Sequence, residues 1–202
     1  MGLYNYLFLI FKYEILIFSY LSIFSQTGSG KTYTMMGTDD ALGVIPRTVK
    51  TIFDEISYIK DCSFRIHCSY VELYLDQITD LLDPDNDPAL LKKMNTYQLQ
   101  ERGRKKKVEI RQNGNEIFLS GDSNTLNSHV RSFDEAMKLI EHGRKCRTVA
   151  FTSLNSQSSR SHAIITFVIE KKDRQGKITK GKIHLVDLAG NEVCYFFFFF
   201  QK

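Results

Sequence analysis

Residues 21–32 read Leu21-Ser22-Ile23-Phe24-Ser25-Gln26-Thr27-Gly28-Ser29-Gly30-Lys31-Thr32, a short apolar run that breaks into a glycine-rich loop. An apolar run of this kind is a candidate buried strand. A loop that cradles phosphate needs backbone N–H groups turned inward and no side chains to obstruct the close approach, and Gly28 and Gly30 meet that need. Lys31 is then placed to reach the β- and γ-phosphates of a nucleotide, and the Thr32 hydroxyl to ligate Mg²⁺. A helix starting near Lys31 would aim its positive end at the anion. The usual spacing is G-x-x-x-x-G-K-[ST], and here Ser25 stands at the first position while Gly28-Ser29-Gly30-Lys31-Thr32 is intact. The nucleotide-contacting set is Ser25, Gln26, Thr27, Gly28, Ser29, Gly30, Lys31, Thr32 and Tyr33. The competing reading is a glycine-rich turn without a ligand.

Outward from this loop the chain alternates between helical and strand patterns. Pro46 suits a first helical turn, and Val49, Ile52, Phe53 and Ile56 follow at helical spacing. Phe64, Ile66, Cys68 and Tyr70 alternate as in a half-buried strand, and the change of phase at Val71, Leu73 and Leu75 predicts a bulge. Asp83–Pro88 is rich in turn residues. Val108–Ile110 and Glu116–Leu119 flank Asn113-Gly114, a hairpin signal. Ser132-Phe133-Asp134-Glu135 is a capping box opening a helix that carries Phe133, Ala136, Met137 and Ile140. Ala163–Ile169 and Ile183–Val186 read as β-branched strands, with a turn at Asp173–Gly176. The class is α/β, with a central, mostly parallel or mixed sheet flanked by helices.

Two further motifs carry chemistry. Asp187-Leu188-Ala189-Gly190-Asn191-Glu192 follows an apolar strand. A carboxylate at a strand end, followed by a glycine, suits a γ-phosphate sensor: Asp187 to hold a Mg²⁺-bound water and the Gly190 N–H to meet the phosphate. Alone, D-x-x-G is as well read as an ordinary turn. Asn155-Ser156-Gln157-Ser158-Ser159-Arg160-Ser161-His162 packs hydroxyls beside Asn, Arg and His just before a strand. It can wrap Mg²⁺ and a phosphate, and order with the γ-phosphate. A solvated loop is its plain alternative.

Taken together and in this order, Q-T-G-S-G-K-T-Y-T-M, N-x-x-S-S-R-S-H and D-L-A-G-x-E resemble the kinesin motor domain. Gly43-Val44-Ile45-Pro46-Arg47, Ser69–Tyr74 and Asp80-Leu81-Leu82 fit the same family, and the resemblance spans residues 25–192. It implies a P-loop ATPase that couples ATP hydrolysis to stepping on microtubules, with ATP and Mg²⁺ as cofactors and a place in the cytoplasm, on the cytoskeleton. It implies that Arg160 and Glu192 form the ion pair closing the site around the attacking water. Ser158 and Ser159 would help position that water and the Mg²⁺ shell, with Thr32, Ser159 and Asp187 around the metal. The departures are Ser25 for a usual Gly, Asn191 for a usual Ser and Leu75 for a usual Asn.

The ends differ from the middle. Residues 1–24 and 193–202 hold only three charged side chains, Lys12, Glu14 and Lys202, and they are rich in Phe and Tyr. Residues 3–24 are long enough to span a bilayer, but Lys12 and Glu14 near the centre offset most of the apolar gain. Three readings stand: an artefact of gene prediction in AT-rich DNA, a buried strand or helix, and a membrane segment. Residues 1–24 contain no Arg-x-Arg-Pro segment of the kind the family uses to stack adenine, and Phe196–Phe200 follows the last motif. The expected organisation is an atypical segment 1–24, a partial motor domain 25–192 and a Phe-rich tail 193–202. The runner-up function is a truncated, non-motor nucleotide-binding fragment without microtubule-stimulated activity.

Composition excludes little else. Net charge is +4 from 27 basic and 23 acidic residues, too mild to argue for nucleic acid. The basic run Arg102-Gly103-Arg104-Lys105-Lys106-Lys107 reads as a solvated loop or as attraction to the acidic tubulin surface, with no aromatic interleaving that would favour nucleic acid. Cys62, Cys68, Cys146 and Cys194 form no C-x-x-C pair and suit a reducing compartment.

Overall fold

The computed structural model describes residues 18–23, 28–38, 40–86, 90, 93, 97–98, 108–114, 116–121, 126–153 and 160–189. Its centre is a mixed sheet. Strand β1 is Phe18–Ile23, β2 Ser63–Tyr74, β3 Gln77–Asp80, β6 Ser128–Val130, β7 His162–Lys172 and β8 Ile178–Asp187. The spatial order is β1-β8-β7-β2-β3, with β6 also paired to β2. Among the described residues the β1–β8 pair is parallel and the other pairs of this sheet are antiparallel. Strands β4 (Glu109–Asn113) and β5 (Glu116–Ser120) form a separate hairpin.

Strands β7 and β8 show why this sheet forms. Every second residue is buried, namely Ala163, Ile165, Phe167 and Ile169 on β7 and Ile183 and Leu185 on β8. Their β-branched and aromatic side chains suit a pleated, half-buried surface. The connection between the two strands is fixed by Asp173, whose Oδ1 accepts from the Gln175 and Lys177 amides at 2.9 Å each. Gly176 takes φ 86° there.

Among the described residues three helices cover that face of the sheet: α1 (Lys31–Met36), α2 (Val44–Tyr58) and α3 (Phe133–Ser153). Met35, Val49, Ile52, Ala136 and Ile140 join the strand residues above, with Ile66, Cys68 and Tyr70 of β2, in one buried cluster. Pro46 lies in the first turn of α2, where its missing N–H costs nothing. The start of α3 is capped on both sides. The Ser132 Oγ accepts from the Glu135 amide at 3.1 Å, and the Glu135 carboxylate accepts from the Arg131 amide at 2.8 Å.

Two sequence expectations are corrected. Strand β2 has no bulge: it pairs with β7 in unbroken register from Ser63↔Lys172 to Leu73↔His162. The apolar alternation disappears because both faces become covered. Tyr70 enters the helix-side cluster, while Val71 joins Val108 and Leu126 in a second cluster on the opposite face. In the β4–β5 hairpin Asn113 pairs with Glu116, so the connection begins at Gly114, one residue later than the Asn-Gly reading placed it. Gly114, at φ 58°, takes the left-handed position.

The β2–β3 connection is also a two-residue turn, since Tyr74 pairs with Gln77. Leu75 and Asp76 occupy it at φ 44° and 59°, and Leu75 is 75% exposed. A leucine gains nothing by burial there and sits in backbone space that Asn tolerates far better. Leu75→Asn is expected to raise stability by about 1 kcal/mol, read as a higher urea midpoint with an unchanged denaturant slope. An unchanged midpoint would mean that the turn carries no strain.

Candidate functional site

Strands β1 and β8 run side by side and end level, with Ile23 opposite Asp187. The glycine loop therefore leaves one strand next to the point where the Asp187 motif leaves the other. That is the end of an open α/β sheet where ligands bind. Gly28 and Gly30 have φ 80° and 87°, backbone that L side chains rarely adopt. A Cβ at either would meet no atom within 4 Å, so the requirement for glycine is conformational rather than steric. Gly30 caps α1, and Lys31, its first residue, is only 9% exposed. Ser29, Thr32 and Tyr33 lie at the surface.

The Thr32 hydroxyl donates to Asp187 Oδ2 at 3.0 Å, so the loop and the strand-end carboxylate meet across 155 positions of sequence. Asp187 Oδ1 is buried and has no hydrogen-bond partner among the described residues. A hard-oxygen pair with one carboxylate oxygen left over fits Mg²⁺. Such an ion is normally held by one or two protein oxygens, with phosphates and waters completing the octahedron. Among the described residues there is no group of three or more His, Cys, Asp or Glu side chains able to hold a metal by themselves.

Behind Asp187 lies a buried polar network that the motifs did not reveal. Arg147 of α3 donates from Nη1 to Asp187 Oδ2 at 3.0 Å and from Nη2 to the Ser161 carbonyl at 3.3 Å. Its Nε lies 3.4 Å from Glu72 Oε1 on β2. The Ser161 hydroxyl donates to the same Glu72 oxygen at 2.6 Å. Ser161 is fully buried, and Glu72 and Arg147 nearly so. Tyr70 packs beside them. Burial pushes its phenol up from the ordinary value and the positive charge of Arg147 pulls it part of the way back, so the hydroxyl stays protonated. A signal for Arg147 existed in the sequence: it falls seven residues after Ile140, on the stripe of α3 that faces the core.

His162 begins β7, and its Nδ1 accepts the Ala189 amide at 3.0 Å. That bond requires Nδ1 to be unprotonated, and it ties the end of the Ser-rich motif to the segment after Asp187. Arg160 is exposed just ahead of it. Ser25, Gln26, Thr27, Ser158, Ser159, Gly190 and Glu192 lie outside the described residues, so the expected Arg160–Glu192 pair does too. So does the basic run 102–107.

A family profile, the kinesin motor domain, matches residues 9–195. The chain belongs to that family. Chromosome-associated kinesin KIF4 of Gallus gallus is 39% identical over 179 residues, covering 84% of this chain and 13% of its own length. Kinesin-like protein Klp68D of Drosophila pseudoobscura pseudoobscura is 36% identical, covering 84% and 19%. The solved structure of a fast kinesin superposes with a TM-score of 0.71 at 30% identity, covering 93% of this chain and 51% of that one. The Kar3 motor domain of Candida glabrata gives 0.66, also at 30% identity, covering 88% and 50%. The chain thus spans less than a fifth of the length of these curated kinesins and about half of each solved motor chain. The family match begins inside the apolar N-terminal stretch, where β1 takes a place in the sheet. Among the described residues no helix is long and apolar enough to cross a membrane.

Proposed function

We propose that this kinesin-family chain binds ATP with Mg²⁺ and contributes the hydrolytic core of a microtubule motor, acting in the cytoplasm on the cytoskeleton. The observation that carries the reading is the Thr32–Asp187 contact, with a buried carboxylate oxygen left over beside a left-handed glycine loop. Gly28 and Gly30 leave the backbone open to the phosphates, and Lys31 supplies the opposing charge. Thr32 would hold the cation directly and Asp187 through a water. Bound Mg²⁺ would neutralise charge on the β- and γ-phosphates.

In this reading Ser158 and Ser159 help position the attacking water and the Mg²⁺ shell, the Gly190 N–H meets the γ-phosphate, and Arg160 and Glu192 close the site around that water. Holding that water matters in the closed state only, so breaking the pair slows hydrolysis more than binding. The basic charge of residues 102–107 would be attracted to the acidic tubulin surface.

The test is a titration of the purified chain with a fluorescent ATP analogue in Mg²⁺ buffer, followed by microtubule co-sedimentation and ATPase assays. Saturable binding that needs Mg²⁺, with microtubule-stimulated turnover of about 1 s⁻¹ or more, is the result expected of a motor core. Binding without stimulation would confine the chain to nucleotide binding, and no binding would overturn the reading.

A further inference from the structure

The buried network contains a carboxylate for which the proposed reaction has no use. Glu72 is 4% exposed on β2, and it is held on every side. Its backbone pairs with Ala163 of β7 on one edge and Thr79 of β3 on the other. Its Oε1 accepts from the Ser161 hydroxyl at 2.6 Å and lies 3.4 Å from Arg147 Nε. A side chain fixed this firmly beside a functional carboxylate acts through its charge.

We infer that Glu72 is a positioning residue for the cation end of the site: it shares Arg147 with Asp187 and so keeps Asp187 negative enough to hold the water of a divalent cation. This rests on the Mg²⁺-nucleotide reading above. One guanidinium stands between two carboxylates, with Arg147 Nη1 at 3.0 Å from Asp187 and Nε at 3.4 Å from Glu72. The trio therefore carries one net negative charge. Without the charge of Glu72, Arg147 would offset more of the Asp187 charge and weaken its attraction for an approaching cation. Through Ser161, the same carboxylate also fixes the residue just ahead of β7, where the Ser-rich motif ends.

The experiment uses the full chain, a fluorescent ADP analogue and a magnesium titration, with a parallel arm in EDTA. Glu72→Gln keeps the volume and the oxygen that accepts from Ser161, and removes only the charge. The magnesium concentration at half-saturation is expected to rise about tenfold. In EDTA the affinity for the anionic nucleotide should be unchanged or tighter. A merely structural Glu72 would weaken both arms together.

The double substitution Glu72→Gln, Arg147→Gln restores one net negative charge. It is expected to bring the magnesium midpoint back to within about threefold of the unmodified chain. Ser161→Ala leaves the charge in place and should shift the midpoint less than Glu72→Gln. An unshifted midpoint in Glu72→Gln, or equal losses in both arms, overturns the assignment alone. So does a Glu72→Gln chain that fails to fold while Ser161→Ala binds magnesium normally. An unmodified chain that binds no nucleotide overturns the nucleotide reading and this assignment with it.

Discussion

Lys31→Ala is expected to weaken nucleotide binding about a thousandfold, in effect abolishing it at micromolar protein. Lys31 begins α1 directly after a left-handed Gly30 and is 9% exposed, so the side chain as a whole is largely withdrawn from water. Charge is worth most where the local dielectric is low. The backbone donors of the loop survive the substitution, because the φ values of Gly28 and Gly30 do not depend on the lysine. They are dipoles, however, and cannot match a triphosphate of three or four negative charges. Isothermal titration with Mg²⁺-ATP checks this, alongside a thermal melt to show that the variant is folded. Equal affinities for the variant and the unmodified chain would remove Lys31 from the site.

The second large effect is on stability. Arg147→Met is expected to cost about 3–5 kcal/mol, since breaking a buried ion pair strands the remaining charges. Here it would strand two, Glu72 and Asp187, within a few ångströms of one position and shielded from solvent. Methionine matches the stem of arginine, so the packing of α3 against the sheet is largely kept and the loss is electrostatic. Against a typical total of about 5–15 kcal/mol this is a large fraction. The melting temperature should fall by about 10 °C. A fall of only a degree or two would show that solvent reaches the carboxylates and that the network is less isolated than its geometry indicates.

The two predictions differ in how readable their residues were. Lys31 stood in plain view because phosphate binding by a glycine loop is a local property. Gly28, Gly30, Lys31 and Thr32 lie within five positions, and the backbone they require is set by glycine itself. Asp187 was readable for a similar reason, as the first polar residue after a β-branched run. Glu72 and Arg147 were not assigned a role, because a buried charge is defined by its partners. Arg147 meets Asp187 across 40 positions, and Ser161 meets Glu72 across 89.

The same distinction explains the fold. The capping box of α3 was legible in four residues. Its extent to Ser153 was not, because Gly143 interrupts the apolar stripe. The structure supplies the reason: a Cβ at Gly143 would come within 2.4 Å of the Tyr70 ring, so helix and strand approach closely there. The straight course of β2 was hidden likewise, since Val108 and Leu126 cover its second face from distant segments. The turn at Leu75 departs from the family's usual Asn, and its positive φ shows what that departure costs.

The parallel pairing of β1 with β8 also has a kinetic side. The hairpins β2–β3 and β7–β8 join neighbours in sequence and can form early, whereas β1 must find a strand more than 150 positions away. Closing so long a loop is entropically the most expensive step in the sheet, and contacts of this kind tend to form late. The glycine loop and Asp187 come together through that last closure, so the proposed phosphate site matures only when the rest of the sheet is already in place. A nucleotide bound there would act as a clasp on the final step, slowing the departure of β1 far more than it speeds the chain's first collapse.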